Sequence, residues 1–459
     1  MSSSKQEGSG TPFDLVFDLV FLFFEGMISL LIWLVVKQAP KLFTKGSDKP
    51  IELKHLKSNK KTTNSDHLGY SVLNKKALDL KNLKPHLHTL LIGASGWGKS
   101  NTLNLLFENS IKRDLPIIYI DPKGSRSAIR EFKSLCSFYK KKCYVFSDHF
   151  ESPYKFNTFL NLSNDEIVTS IMRSFEWSEV YYKAKSQSAL FSSLRRLREK
   201  KRVVTLVSIY EDLREFEKTN DDIAGLMANL EMISESSFKD LLDIKRSDID
   251  GDLVISPQEI KDNQECLYIG LSTQGKGDIA RVFGKLFLNS VLMISHYAGR
   301  NYSRSEEAID KGISFVIDEA GSMIFQDFIE LLNKCRSSGI NVYACIQSPS
   351  DFKVLGQEFM EQCLENFGTW MILKQGEGSN AEYLAQSIGT IKTQKETQVI
   401  DEGFKTGKGS IRNSMEYRCQ PDVLKSIGIG KLVLVTRDPY RVDLINVRYV
   451  NDSEAFQMS

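Results

Sequence analysis

Gly93-Ala94-Ser95-Gly96-Trp97-Gly98-Lys99-Ser100 has the spacing glycine, four residues, glycine, lysine, serine. Before it, Leu87-His88-Thr89-Leu90-Leu91-Ile92 reads as a short buried strand. After it, residues 101–111 carry Leu103, Leu105, Leu106, Phe107 and Ile111 at helical spacing. That strand–loop–helix context is what a phosphate-binding loop requires. Its glycines let successive backbone N–H groups turn inward around phosphate oxygens, and the helix N-terminus adds partial positive charge. The cradle runs from Gly93 to Asn101. Lys99 is expected to reach the β- and γ-phosphates of ATP, and the Ser100 hydroxyl to hold Mg²⁺.

Outward from the loop, buried strands alternate with helices. Ile117-Ile118-Tyr119-Ile120 ends in Asp121-Pro122-Lys123-Gly124, and residues 143–146 and 266–271 read as further strands. Such alternation predicts an α/β fold with a mostly parallel sheet and loops gathered at its C-terminal edge. From 165 to about 245 the period changes. Ile167, Ile171, Met172, Phe175, then Leu190, Leu194, Leu197, then Ile223, Leu226, Met227, Leu230 recur at helical spacing, which predicts an all-helical insert. Asp248-Ile249-Asp250-Gly251-Asp252 has the look of a calcium loop, but Arg246 and Pro257 would fall at the first and twelfth ligand positions. A tight Asp-Gly turn is the better reading.

Ile313-Ser314-Phe315-Val316-Ile317-Asp318-Glu319 is a hydrophobic strand ending in two acids. Downstream of a phosphate loop, Asp318 is placed to bind the Mg²⁺ shell and Glu319 to orient or deprotonate the attacking water. Residues 340–346 form another buried strand, with Gln347 at its end as a sensor of intact nucleotide. Residues 390–415 are polar and rich in Gly and Lys, suggesting an exposed loop or hairpin. Residues 432–435 and 442–447 read as a closing hairpin with Asp438-Pro439 at its turn.

The bulk composition excludes more than it assigns. The chain has 459 residues, 41% hydrophobic and 26% charged, with a net charge of +2, so any nucleic-acid contact must be local. Seven scattered cysteines with no C-x-x-C pair argue against a disulfide framework or a zinc site.

The N-terminal part reads differently. Residues 19–36 are nearly all apolar, with thirteen Leu, Ile, Val or Phe, about the length that crosses a bilayer core. Those residues contribute roughly −6 kcal/mol to insertion against roughly +3 for Glu25. Lys37, Lys41, Lys45 and Lys49 follow and Asp14 and Asp18 precede, which predicts a single span with the bulk of the chain cytoplasmic. Residues 37–84 hold twelve Lys against four acids and read as a connector able to meet anionic lipid or DNA phosphate. The expected domains are 1–37 (tail and membrane anchor), 38–84 (connector), 85–162 and 263–459 (the two parts of a nucleotide-binding domain) and 163–262 (the helical insert).

Four blocks in this order resemble the type IV coupling proteins, the TraD/TraG-like ATPases of conjugation and type IV secretion. They are His88-Thr89-Leu90-Leu91-Ile92-Gly93, Asp121-Pro122-Lys123-Gly124, Asp318-Glu319-Ala320, and Arg336 through Gln347-Ser348. The phosphate loop is generic; the second and fourth blocks are more specific. The resemblance implies a RecA-like P-loop NTPase that assembles as a homo-hexamer at the bacterial inner membrane. It would pass DNA, bound without sequence preference, or a relaxase–DNA complex to the proteins of a secretion channel. It also implies that Arg336 acts as an arginine finger in a neighbouring subunit's site. The chain departs from the family pattern in having one predicted span rather than two, no long acidic C-terminal tail, and Trp97 where a small residue is common. Two other readings share these motifs: a substrate receptor in which nucleotide serves assembly only, and a HerA/FtsK-like DNA pump.

Overall fold

The computed structural model describes residues 49–57, 67–79, 88–217, 220–301, 312–323, 325, 327–401 and 404–449. The apolar segment at 19–36 lies outside them; among the described residues no helix is long and apolar enough to cross a membrane.

In chain order the strands are β1 (His67–Ser71), β2 (Ala77–Asp79), β3 (Thr89–Ile92), β4 (Ile117–Asp121), β5 (Cys143–Ser147), β6 (Lys155–Phe156), β7 (Val254–Ile255), β8 (Cys266–Gly270), β9 (Ile313–Ile317), β10 (Ile340–Ile346), β11 (Thr369–Ile372), β12 (Thr390–Asp401), β13 (Phe404–Tyr417), β14 (Lys431–Arg437) and β15 (Tyr440–Val447). Eleven of them make one sheet, in the order β2-β1-β15-β14-β11-β3-β10-β9-β4-β8-β5. The run from β11 to β5 is parallel throughout. Four antiparallel strands, β14, β15, β1 and β2, extend it on one side.

The parallel strands are buried on both faces, so they read as unbroken apolar runs rather than alternating ones. Leu90, Ile92, Ile118 and Ile120 point into one core; Leu91, Ile117, Tyr119 and Tyr268 point into the other. The second core is covered by helix α1 (Lys99–Lys112) and helix α2 (Arg126–Phe138), through Leu103, Leu106, Phe107, Ile129, Phe132 and Leu135. Over the first lies the helical insert, with α3 (Asn164–Ser174), α4 (Val180–Glu199), α5 (Leu206–Phe216) and α6 (Ala224–Ser234) between β5 and β8. Its helices start where side chains satisfy orphan N–H groups. Ser163 with Glu166 and Thr205 with Ser208 each form a capping box. The Asp-Gly segment closes a short helix, Arg246–Asp250, rather than forming a free turn.

The fold departs from the sequence reading at one more place. The lysine-rich segment is not all linker, because β1 and β2 lie within it and pair through β1 with β15. Their apolar anchors, Leu68 and Leu78, are buried, too few to show as a strand pattern among lysines. The polar stretch near 390–415 is a two-stranded antiparallel ribbon, β12 with β13, separate from the main sheet.

Candidate active site

The phosphate loop joins β3 to α1, at the C-terminal edge of the parallel sheet. Gly96 and Gly98 take φ of +82° and +96°, backbone that glycine adopts without a Cβ clash. The loop is anchored from both neighbours: Gly93 N–H donates to the Ile346 carbonyl at 3.0 Å and Ala94 N–H to the Lys374 carbonyl at 3.1 Å. A Cβ at position 93 would lie 2.5 Å from Leu373 Cβ, so that glycine is required by packing as well. Ser95 and Ser100 are exposed, and Lys99 Nζ is buried with no hydrogen-bond partner. An ammonium held dry and unpaired is costly to keep, and it is what an incoming phosphate would satisfy.

Strand β10 lies between β3 and β9, and β4 flanks β9 on its far side. That order brings the ends of four strands together. Asp318 follows β9, its N–H donating to the Ile120 carbonyl of β4 at 3.0 Å. Asp121 ends β4 beside it. Burial raises the Asp318 carboxyl above the ordinary range, and the charge of Asp121 raises it further. The Glu319 N–H, donated to Asp318 Oδ1 at 2.9 Å, and the nearby Lys99 charge oppose that shift. Buried Asp121 and half-buried Asp318 repel one another, which favours a cation beside them. Asp121 is itself tied down, accepting from Lys123 N–H at 2.9 Å and from the Tyr268 hydroxyl of β8. Burial and the same aspartates push the Tyr268 phenol up, so it stays a donor.

Glu319 sits at φ +42°, a left-handed conformation costing about 1–2 kcal/mol for a residue with a Cβ. Such strain persists where the surroundings fix it, often at functional sites. The Glu319 carboxylate pairs with Lys123 Nζ at 2.5 Å. Gln347 is exposed just past β10, its N–H donating to Asp351 Oδ2 at 2.7 Å. Trp97 lies under Lys374, whose Nζ is 3.9 Å from the ring centroid, a cation–π contact. Asn101 turns its amide to the Arg448 carbonyl at 2.9 Å, so its side chain serves the loop's support.

The structure therefore gathers the phosphate loop with Lys99, Ser100, Asp318, Glu319 and Gln347. It leaves Arg336 out. That residue is exposed in a 3₁₀ turn, Arg336–Ser338, which leads into the opposite end of β10. The seven residues of β10 lie between it and Gln347, about 23 Å at a strand's rise. Lys123 and Lys374 also belong to the site, although neither is expected there from the sequence. Lys123 lies in the Asp-Pro-Lys-Gly block, but only the fold shows that it reaches Glu319; no spacing signals Lys374.

Comparisons with known proteins fit this geometry. A family profile described as the central domain of the helicase HerA matches residues 69–271. Another, described as the TraM recognition site of TraD and TraG, matches residues 313–426. Over the second of these segments the chain is similar to TraD and TraG. Among solved structures, the fold of this chain is similar to that of the bacterial conjugative coupling protein TrwB lacking its first 70 residues. In an unbound form the two agree at TM-score 0.58 and 15% identity, over 86% of this chain and 92% of that one. TrwB with a non-hydrolysable ATP analogue gives TM-score 0.59 and 15% identity, over 90% and 97% of the two chains. VirB4 of Thermoanaerobacter pseudethanolicus gives 0.54 and 14%, over 88% and 100%. At these identities the likeness speaks for the fold, a RecA-like P-loop NTPase. No curated protein sequence matches the chain.

Proposed function

We propose that this chain is a coupling protein of the TraD/TraG kind, an ATP-hydrolysing motor that delivers DNA, or DNA carrying a bound protein, to a type IV secretion channel. One observation carries the ATPase reading: Lys99, Asp318 and Glu319 come from two distant segments and act on one another at one edge of the sheet. The TrwB structures with an ATP analogue and with ADP and Mg²⁺ support the choice of nucleotide and metal.

The residues present suit a magnesium nucleotide. Ser100 and Asp318 would hold the ion, which would neutralise charge between the β- and γ-phosphates. Backbone N–H groups of Gly93 to Ser100 would bind phosphate oxygens, with Lys99 supplying a point charge in a dry setting. Glu319 would take the proton of the attacking water, and Gln347 would sense the γ-phosphate from between the two halves of the site. Arg336, exposed at the other edge, would bring a further cation to that phosphate from a neighbouring copy in a homo-hexamer. Residues 19–36 would tether the ring to the inner membrane, with most of the chain on the cytoplasmic side.

The test is ATP hydrolysis by detergent-purified full chain, with and without single-stranded DNA over a range of salt. Stimulation by DNA that fades with salt is expected, because contacts to phosphates are screened. Hydrolysis indifferent to DNA would sink the DNA motor and favour a receptor. The HerA match over 69–271 favours a second reading, a DNA pump working without a secretion channel. Loss of DNA transfer when the channel is deleted would decide against it.

A further inference from the structure

If the chain is an ATPase, the ion pair between Lys123 and Glu319 bears directly on its hydrolytic step. Lys123 stands on a turn fixed by Asp121, which accepts its N–H, and Thr273 binds the Pro122 carbonyl of the same turn at 2.9 Å. A Cβ at Gly124, φ +60°, would sit 3.1 Å from the backbone of Gly270, so the turn is locked against β8. From that base the Lys123 side chain crosses β9's end to Glu319, whose backbone is itself fixed by the Asp318 carboxylate. Both partners are thus held from below, and the pair is not two freely waving surface side chains. Its lysine is raised above its ordinary range, chiefly by Glu319.

A carboxylate engaged by an ammonium is a poorer proton acceptor than a free one, and the cation it engages is withdrawn from phosphate. We propose that Lys123 is a positioning residue for the catalytic step. Its ion pair restrains Glu319, and triphosphate bound at the loop competes for the ammonium and frees the carboxylate. Nucleotide arrival and base activation are thereby coupled through one side chain. Lys123 also supplies the charge that keeps three neighbouring acids, Asp121, Asp318 and Glu319, compatible with an anionic substrate.

Binding separates this role from a merely structural one without any turnover. With a fluorescent ATP analogue and Mg²⁺, Glu319→Gln should tighten the dissociation constant about 3- to 10-fold, because Lys123 is freed. In a Lys123→Gln background the same change should give no gain. In hydrolysis without DNA, Lys123→Gln should raise KM about 3- to 10-fold and leave kcat within about two-fold, because bound triphosphate has already drawn the ammonium off Glu319, and Lys123→Arg should restore KM. Lys123→Met replaces Lys123→Gln if the latter does not fold, as judged by its melting curve. An equal gain from Glu319→Gln with and without Lys123 would overturn the proposal, as would an unchanged KM in Lys123→Gln. If the wild-type chain hydrolysed no ATP, the ATPase reading would fail while the binding cycle still tested the ion pair.

Discussion

The two ends of β10 are chemically unlike. At its C-terminal end Gln347 stands among strand ends that carry Lys99, Asp318 and Glu319, a crowd of charges with strain at Glu319. At its N-terminal end Arg336 is exposed to solvent beside a buried interior. There His88, just before β3, donates Nε2–H to the Leu332 carbonyl at 2.7 Å and accepts from Val342 N–H at 3.2 Å. Burial, and to a lesser degree the Arg336 charge, push this imidazole down to about 4. One edge is built to receive charge, the other to exclude it. In the proposed function this difference divides the work: the phosphate and metal residues would act in cis, and Arg336 at the other edge would serve a neighbouring copy.

Mutations at the two edges put that division at risk. The largest effect is expected at Lys99. Lys99→Ala should lower ATP turnover about 10³-fold and weaken nucleotide binding, both measurable on the purified chain. Arg336→Ala should also cost about 10³-fold in turnover while leaving nucleotide affinity within about two-fold. Mixing the two inactive variants should restore activity if subunits share sites, and failure to recover any would place Arg336 outside the reaction.

At the quiet edge the expected effect concerns stability. The fold takes neutral His88, so its stability is whole above pH 6.5 and falls as pH drops from there to about 4. The loss reaches about 3 kcal/mol across that window. Urea midpoints against pH would show it, and His88→Gln should flatten the dependence. Asp318 has the opposite sign. Its raised carboxyl favours the fold only when protonated, so at neutral pH the charge is destabilising without a cation. Asp318→Asn should therefore raise the melting temperature in chelator by a few degrees, about 1 kcal/mol, while abolishing hydrolysis. Smallest is Trp97→Ala. It removes the contact with Lys374, worth about 0.5–1 kcal/mol, and should change turnover less than two-fold, because the loop backbone and not this ring faces phosphate.

Much of this molecule could be read from local pattern. The parallel strands announce themselves because burial on both faces makes apolar residues the rule, and β10 is buried over its full length, Ile340–Ile346, with Asn341 its one amide. The insert announces itself by its change of period, and the loop by glycines whose φ no other residue takes easily. β1 and β2 were hidden, since each is short and set among lysines, and they owe their place to β15, more than 350 residues away. The ribbon β12–β13 was open between an exposed loop and a hairpin, because it lies apart from the main sheet and no periodic apolar face is written into its sequence.

Local pattern alone specified which residue types can bind a triphosphate and which strand and helix edges they occupy, because those depend on neighbours a few positions away. Their order in space came from the packed fold. It put β10 between β3 and β9, set Asp121 against Asp318, joined Lys123 to Glu319, and sent Arg336 to the far edge. Those distances follow from how strands pair across more than 200 residues, a matter of topology and burial that no local spacing encodes.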